Sequence, residues 1–182
     1  MRILAVSAAL VLASLSSPSL AAAQAASAPL ATAAAPEDVA SVEAIVDALY
    51  DVISGPAGPR DWGRLQSLFQ PGAVMGSTGR GPDGSMRRGM TTPEGFAARN
   101  GEHFMTHAFY EREIGRRTSR FGPLVQIMSA YETLESPDGQ PTERGVNSIT
   151  LFDDGSRLWI TSITWTNETA ENPLPADLMT SH

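Results

Sequence analysis

The chain is predicted to fold as an α+β domain, a long curved antiparallel sheet wrapped around helices that precede it. Three observations carry this. Residues 109–167 divide into four strand-length segments separated by turn chemistry. Residues 37–69 carry apolar side chains at helical spacing. Thr92-Pro93-Glu94 then marks a third helix start just upstream of the strands.

Met1-Arg2 and the apolar run Ile3 to Leu15 precede the small residues Ala21 to Ala25, the layout of a secretory signal too short for a stable membrane anchor. Residues 1–25 are therefore expected to be a signal peptide. Residues 26–36 form an Ala/Pro-rich disordered linker, residues 37–170 the folded domain and residues 171–182 a C-terminal tail. The expected location is periplasmic or secreted. The sequence has no Cys, so no disulfide staples the exported domain, and thiolate metal sites and iron–sulfur clusters are ruled out. The net charge of −7 argues against nucleic acid as a partner, because an acidic surface repels phosphates.

Pro36-Glu37-Asp38 opens the first helix, with acidic residues where the macrodipole favours them. Val39, Val42, Ile45, Val46, Leu49, Val52 and Ile53 form its apolar stripe, and Gly55-Pro56 ends it. Asp61 caps a shorter helix carrying Trp62, Leu65, Leu68 and Phe69, stopped by Pro71-Gly72. Ala73 to Ser77 reads as a short strand, and Thr78 to Arg88, rich in Gly, as a loop or loose hairpin. The third helix runs from Pro93 to about Thr106 despite Gly101, and turns Phe96, Phe104 and His103 inward.

The four long strands are read at 109–119, 124–134, 143–152 and 157–167. Asp154-Gly155 suits a two-residue type I′ turn, in which Asp153 would face Ser156 and Asn147 would face Ser162. Pairing Glu132 with Arg144 places Ser129 opposite Asn147. These registers put Ser129, Asn147 and Ser162 on one inner rung and Tyr131, Gly145 and Thr164 on the next. Trp159, Ile163 and Trp165 then fall on the outer face, where a second copy of the chain is the expected cover. The Arg-rich run from Arg112 to Arg120, interleaved with Glu111 and Glu113, reads as a self-paired edge strand of unfixed register.

The pieces AIVDALYDVISGPAGPRDWGRLQSLFQPGAVM, FYEREIGRRTSRFG, SAYE and RGVNSITLFDDGSRLWITSITW together resemble the nuclear transport factor 2-like superfamily. This is the cone-shaped α+β fold, also called cystatin-like, of SnoaL-like and ketosteroid-isomerase-like proteins. The resemblance implies a pocket inside the cone. It implies no reaction, because the fold hosts enzymes, binding modules and assembly domains.

The expected pocket residues are Tyr131, Asn147, Ser129 and Ser162 on the polar rungs, with Tyr50 and His103 at the mouth. The leading reading is binding of a small apolar molecule without cofactor or metal. His103 and His107 share a helix face, but HFMTH lacks the Glu of a zinc-protease motif. Two further readings stay open: a cofactor-independent lyase or isomerase using Tyr131 with a carboxylate base, and an interaction module acting through Trp159 and Trp165.

Overall fold

In the computed structural model, which describes residues 33–179, six strands form one curved mixed sheet in the order β2-β1-β6-β5-β4-β3. The elements are α1 (Pro36–Val39), α2 (Val42–Ile53), α3 (Trp62–Leu68), β1 (Phe69–Arg80), β2 (Met86–Thr91), α4 (Pro93–Thr106), β3 (Tyr110–Phe121), β4 (Leu124–Leu134), β5 (Glu143–Asp153) and β6 (Leu158–Asn167). All neighbours run antiparallel except β1 and β6, which are parallel. The proposed signal segment lies outside the described residues. Ala34, at the end of the proposed linker, already packs on the core. No helix among the described residues is long and apolar enough to cross a membrane.

The expected single first helix is two. Ser41 adopts an extended backbone and its Oγ accepts the Ala44 N–H, so it restarts the helix as an N-cap. Arg64 of α3 holds α1 in place through Asp38, at 2.8 and 2.9 Å. Asp61 and Thr92 cap α3 and α4 as expected, accepting from Arg64 N and Gly95 N. Of the two readings of Thr78 to Arg88, loop or loose hairpin, the hairpin is found, longer than expected, with β1 paired to β2. Pro71-Gly72 lies within β1, where the register shifts between Phe69 and Val74 and Gly72 takes φ 85°.

The core lies between the helices and the concave face of the sheet. Ile45, Val46 and Leu49 of α2 and Leu65 and Leu68 of α3 meet Val125, Ile127, Ile149, Leu151 and Ile160. Most of these side chains are wholly buried, each contributing about 1.5–3 kcal/mol of transfer free energy.

The β4–β5 register is as read: Ser129 faces Asn147 and Glu132 faces Arg144. The two charges nevertheless pair elsewhere, Glu132 with Arg112 and Arg144 with Glu168. The edge strand β3 is self-paired only in part: Arg116 pairs with Glu113 within the strand, whereas Arg117 pairs with Asp177 and Arg120 with Asp153, both outside it.

The β5–β6 register departs from the reading. Only Gly155 has a positive φ, so a type I′ turn is excluded; Asp153 faces Leu158, and Asp154 anchors a longer turn by accepting from Ser156 N and Arg157 N. Thr161 is then an extra residue in β6. Leu151 faces Ile160, but Thr150 faces Ser162, and beyond that bulge every β6 side chain changes sides. Ile163 and Trp165 therefore lie on the concave face opposite Ile149 and Asn147, while Ser162 and Thr164 face outward. Of the three residues expected to carry a sheet-face dimer only Trp159 is outside, in a row with Phe121, Leu124 and Phe152. The C-terminal tail covers part of the outer face instead, burying Leu178 against β3 and β4 beside Gly115.

Candidate functional site

A cavity of about 280 Å³ opens between α2, α3, α4 and strands β3 to β6. One wall is aromatic, made by Phe96 and Phe104 of α4, Phe109 and Trp165. The rings support one another: Phe96 meets Trp165 edge-on at 6.3 Å, Trp62 stacks on Phe104 at 5.8 Å, and Phe104 lies 5.1 Å from Phe109. Leu49, Ile53, Leu65, Met75 and Ile163 fill the floor. The opposite wall is polar, with Glu111, Tyr131, Thr133, Glu143, Asn147 and Asn167, and Asn100 and His103 lie on the α4 side.

The polar wall is built by two rungs of the sheet. Glu111, Thr133 and Glu143 face one another across β3, β4 and β5; Glu113, Tyr131, Gly145 and Asn167 make the next rung across β3 to β6. Glu111 and Glu113 point inward because Ile114 is an extra residue in β3. Phe121 faces Leu124, so an unbroken register would set both glutamates outside; the bulge reverses them. Gly145 is required here, since a Cβ would fall 2.5 Å from the Tyr131 hydroxyl that lies over it. The start of β3 is pinned to the end of α2. Gly55 and Phe109 exchange backbone bonds at 2.7 and 3.0 Å, and Glu111 N–H donates to Ser54 Oγ at 2.9 Å.

Behind the polar wall runs a hydrogen-bond chain whose direction is fixed at one end. Arg116 grips Glu113 through Nε and Nη2. Glu113 can only accept, so Ser129 Oγ donates to it, at 2.5 Å. Ser129 must then accept from the Tyr50 hydroxyl, at 2.7 Å. Tyr50 in turn accepts from Asn147 Nδ2 at 3.0 Å, and the same amide nitrogen donates to Glu111 Oε1 at 3.3 Å. An ion pair on β3 thus sets which way the Asn147 amide points.

Glu111 is the anomalous group. Burial against the apolar wall pushes its carboxyl up from 4.5 to about 7; the Asn147 N–H opposes this and the nearby Glu143 charge adds to it. Among the described residues no cation forms a salt bridge with it. Burial, with the Glu111 charge second, likewise raises both Tyr50 and Tyr131. Tyr131 donates to Asn167 Oδ1 at 2.8 Å.

Tyr131, Asn147 and His103 line the cavity as the sequence predicts. Ser129 and Tyr50 do not; they are buried behind the wall, in the chain that orients Asn147. Ser162 is on the outer face, displaced by the Thr161 bulge, and Trp165 occupies its expected rung. Sequence reasoning missed Glu111, Glu143, Trp165 and Asn167. For Trp165 a signal exists: the apolar residues of β6 fall at 158, 159, 160, 163 and 165, and the step of three from 160 to 163 marks the bulge. Nothing comparable marks Ile114. His103 stacks on His107 with ring centroids 4.3 Å apart, and among the described residues no group of three or more His, Asp or Glu side chains is placed to hold a metal ion.

Asn147→Leu is expected to cost about 1–3 kcal/mol in urea unfolding, since it strips Tyr50 of its buried donor and Glu111 of an N–H. A variant as stable as the parent would show that the chain is not a structural element.

No family model matches the chain, and no curated protein matches it by sequence. Solved structures do. A protein of unknown function with a cystatin-like fold from Nostoc punctiforme is 8% identical, with a TM-score of 0.45 over 60% of this chain and 78% of that one. An NTF2-like protein of unknown function from Shewanella baltica is 14% identical, with a TM-score of 0.44 over 70% and 94%. One from Methylobacillus flagellatus is 10% identical, with a TM-score of 0.44 over 71% and 95%. These are likenesses of fold alone. With helices α1 to α3, the β1–β2 hairpin, α4 and a four-strand meander closing into one curved sheet, the described domain has an α+β fold, and it is in this fold that it is similar to the cystatin-like and NTF2-like structures.

Proposed function

We propose that the protein binds a small organic molecule in this cavity. The apolar body of the ligand lies against Phe96, Phe104, Phe109 and Trp165, and its polar group meets the wall of Glu111 and Asn147. The volume of about 280 Å³ is near the lower edge of the range for small-molecule sites, about 300–1,000 Å³. The observation that carries the reading is Glu111: a carboxylate kept among aromatic and aliphatic side chains, without a salt-bridge partner among the described residues, at a cost to folding. Groups perturbed by burial inside a cleft concentrate at functional sites.

Proton transfer is the second reading, favoured by one observation. A carboxyl titrating near 7 suits a general base at neutral pH. Its weakness is the electrophile. The Tyr131 proton is already committed to Asn167, and both Asn147 protons to Tyr50 and Glu111. Binding is therefore the preferred function, outside the cytoplasm if residues 1–25 act as a leader.

The test is native mass spectrometry of protein purified from its own host, with thermal shift against a small-molecule panel. A co-purifying small molecule whose retention is lost in Trp165→Ala supports the reading. An empty cavity together with no shift across the panel overturns it.

A further inference from the structure

The polar wall of the cavity has an unusual balance. Several of its hydrogen-bond donors are spent on the protein itself. Tyr131 O–H goes to Asn167, and the two Asn147 protons go to Tyr50 and Glu111. Thr142 donates to the Thr133 carbonyl, which leaves the Thr133 hydroxyl to donate to Thr142 Oγ1 at 3.1 Å. One Asn100 proton is held by the Phe96 carbonyl at 2.8 Å. Besides the Asn167 amide, the wall offers a ligand acceptors, two of them the carboxylates of Glu111 and Glu143 on one rung. Among the described residues no Arg lines the cavity, and the sequence contains no Lys.

The nearby arginines are engaged elsewhere. Arg116 is taken by Glu113, Arg112 by Glu132 and Arg144 by Glu168. Arg60 lies over Phe104, 5.1 Å from the ring centre, but its guanidinium is bound by the carbonyls of Ile53, Gly55, Pro56 and Gly58. Across from the carboxylates stand the faces and edges of four aromatic rings. An aromatic wall opposite negative charge attracts a cation on both sides, through the ring quadrupoles and through Coulomb attraction to the half-buried Glu111 and the exposed Glu143. An anionic ligand would meet two carboxylates.

Resting on the reading of the cavity as a binding site, we infer that its ligand is a small protonated organic amine, with the ammonium group between Glu111 and Glu143 and the apolar body against the Phe96–Phe104–Trp165 wall. Such a ligand would supply the counter-charge that Glu111 lacks. The acidic protein as a whole, at a net charge of −7, would favour its approach.

Three probes of similar shape test this: benzylamine, its neutral isostere ethylbenzene, and benzoate. Each is titrated at millimolar concentration into the full chain at pH 8 and followed by NMR of the Ile53 and Ile163 methyl groups. Benzylamine is expected to bind at least about tenfold more tightly than ethylbenzene, a difference of about 1.4 kcal/mol. That margin should collapse in Glu111→Gln and shrink in Glu143→Gln. Thermal melts confirm that the variants fold. Ethylbenzene or benzoate binding as well as benzylamine overturns the amine while leaving the cavity a binding site. No methyl shift with any of the three overturns both.

Discussion

Replacing Glu111 by glutamine is expected to stabilise the protein by up to about 3 kcal/mol at pH 8 and to remove a loss of stability that the parent shows between about pH 4.5 and 7. The sign follows from proton counting. Below the ordinary value of 4.5 the group is protonated in both the folded and the unfolded chain, and contributes nothing. As the pH rises the unfolded chain gives up its proton first, while the folded chain holds it until about 7. Unfolding is favoured across that window, and the cost is fully present above it. The groups that act on Glu111 are the Glu143 carboxylate from β5 and the Asn147 amide, and among the described residues no cation forms a salt bridge with it. Glutamine keeps an oxygen for the Asn147 N–H and carries no proton to lose. Urea unfolding of both proteins at pH 5 and pH 8 measures the effect, and parallel pH slopes would refute it. Glu111→Gln should gain stability while losing the cation preference of the cavity, the usual trade between a strained site and a relaxed one.

The opposite outcome is expected at Arg64. Asp38 is only 8% exposed, and Arg64 donates to both its oxygens. A third bond, at 2.5 Å, reaches the exposed Asp51. Removing one partner of a buried, hydrogen-bonded ion pair costs about 3–5 kcal/mol; the Arg64 side chain is 33% exposed, which puts Arg64→Ala at the low end, about 3 kcal/mol. Lysine should not rescue it, because the pair is two-pronged. The pH dependence also reverses. In the parent, the Arg64 bond holds the Asp38 carboxyl below its ordinary value, so its stabilisation is present at neutral pH and is lost as the pH falls through the folded value. In Arg64→Ala, protonating the stranded carboxylate should restore stability on acidification, and adding Asp38→Leu should recover most of the loss at neutral pH. Arg64→Ala within about 0.5 kcal/mol of the parent would place the pair among ordinary surface contacts.

The elements of this fold are legible because each rests on local chemistry. The apolar stripe of α2, the Asp61 and Thr92 caps and the ends of β4 and β5 are all written within a few residues of where they act. The β4–β5 register is legible too, and with it Asn147 and Tyr131. What the sequence hides is parity. Period two alternation carries no memory of an inserted residue, so Thr161 turns Ser162 out and Trp165 in, and Ile114 brings Glu111 inside without leaving an apolar trace. Ser129 and Tyr50 fail as ligand residues for another reason. Buried polar side chains must find partners, and theirs are each other and Glu113 rather than a guest.

The bulges at Ile114 and Thr161 make chain length, rather than composition, the control over what the cone encloses. Deleting one residue at either place would exchange an entire run of interior and exterior side chains without altering a single neighbouring letter. Chains that align closely yet differ by one position there would house chemically unrelated chambers. An alignment that closes such a gap silently would carry a pocket assignment from one protein onto the wrong surface of the other.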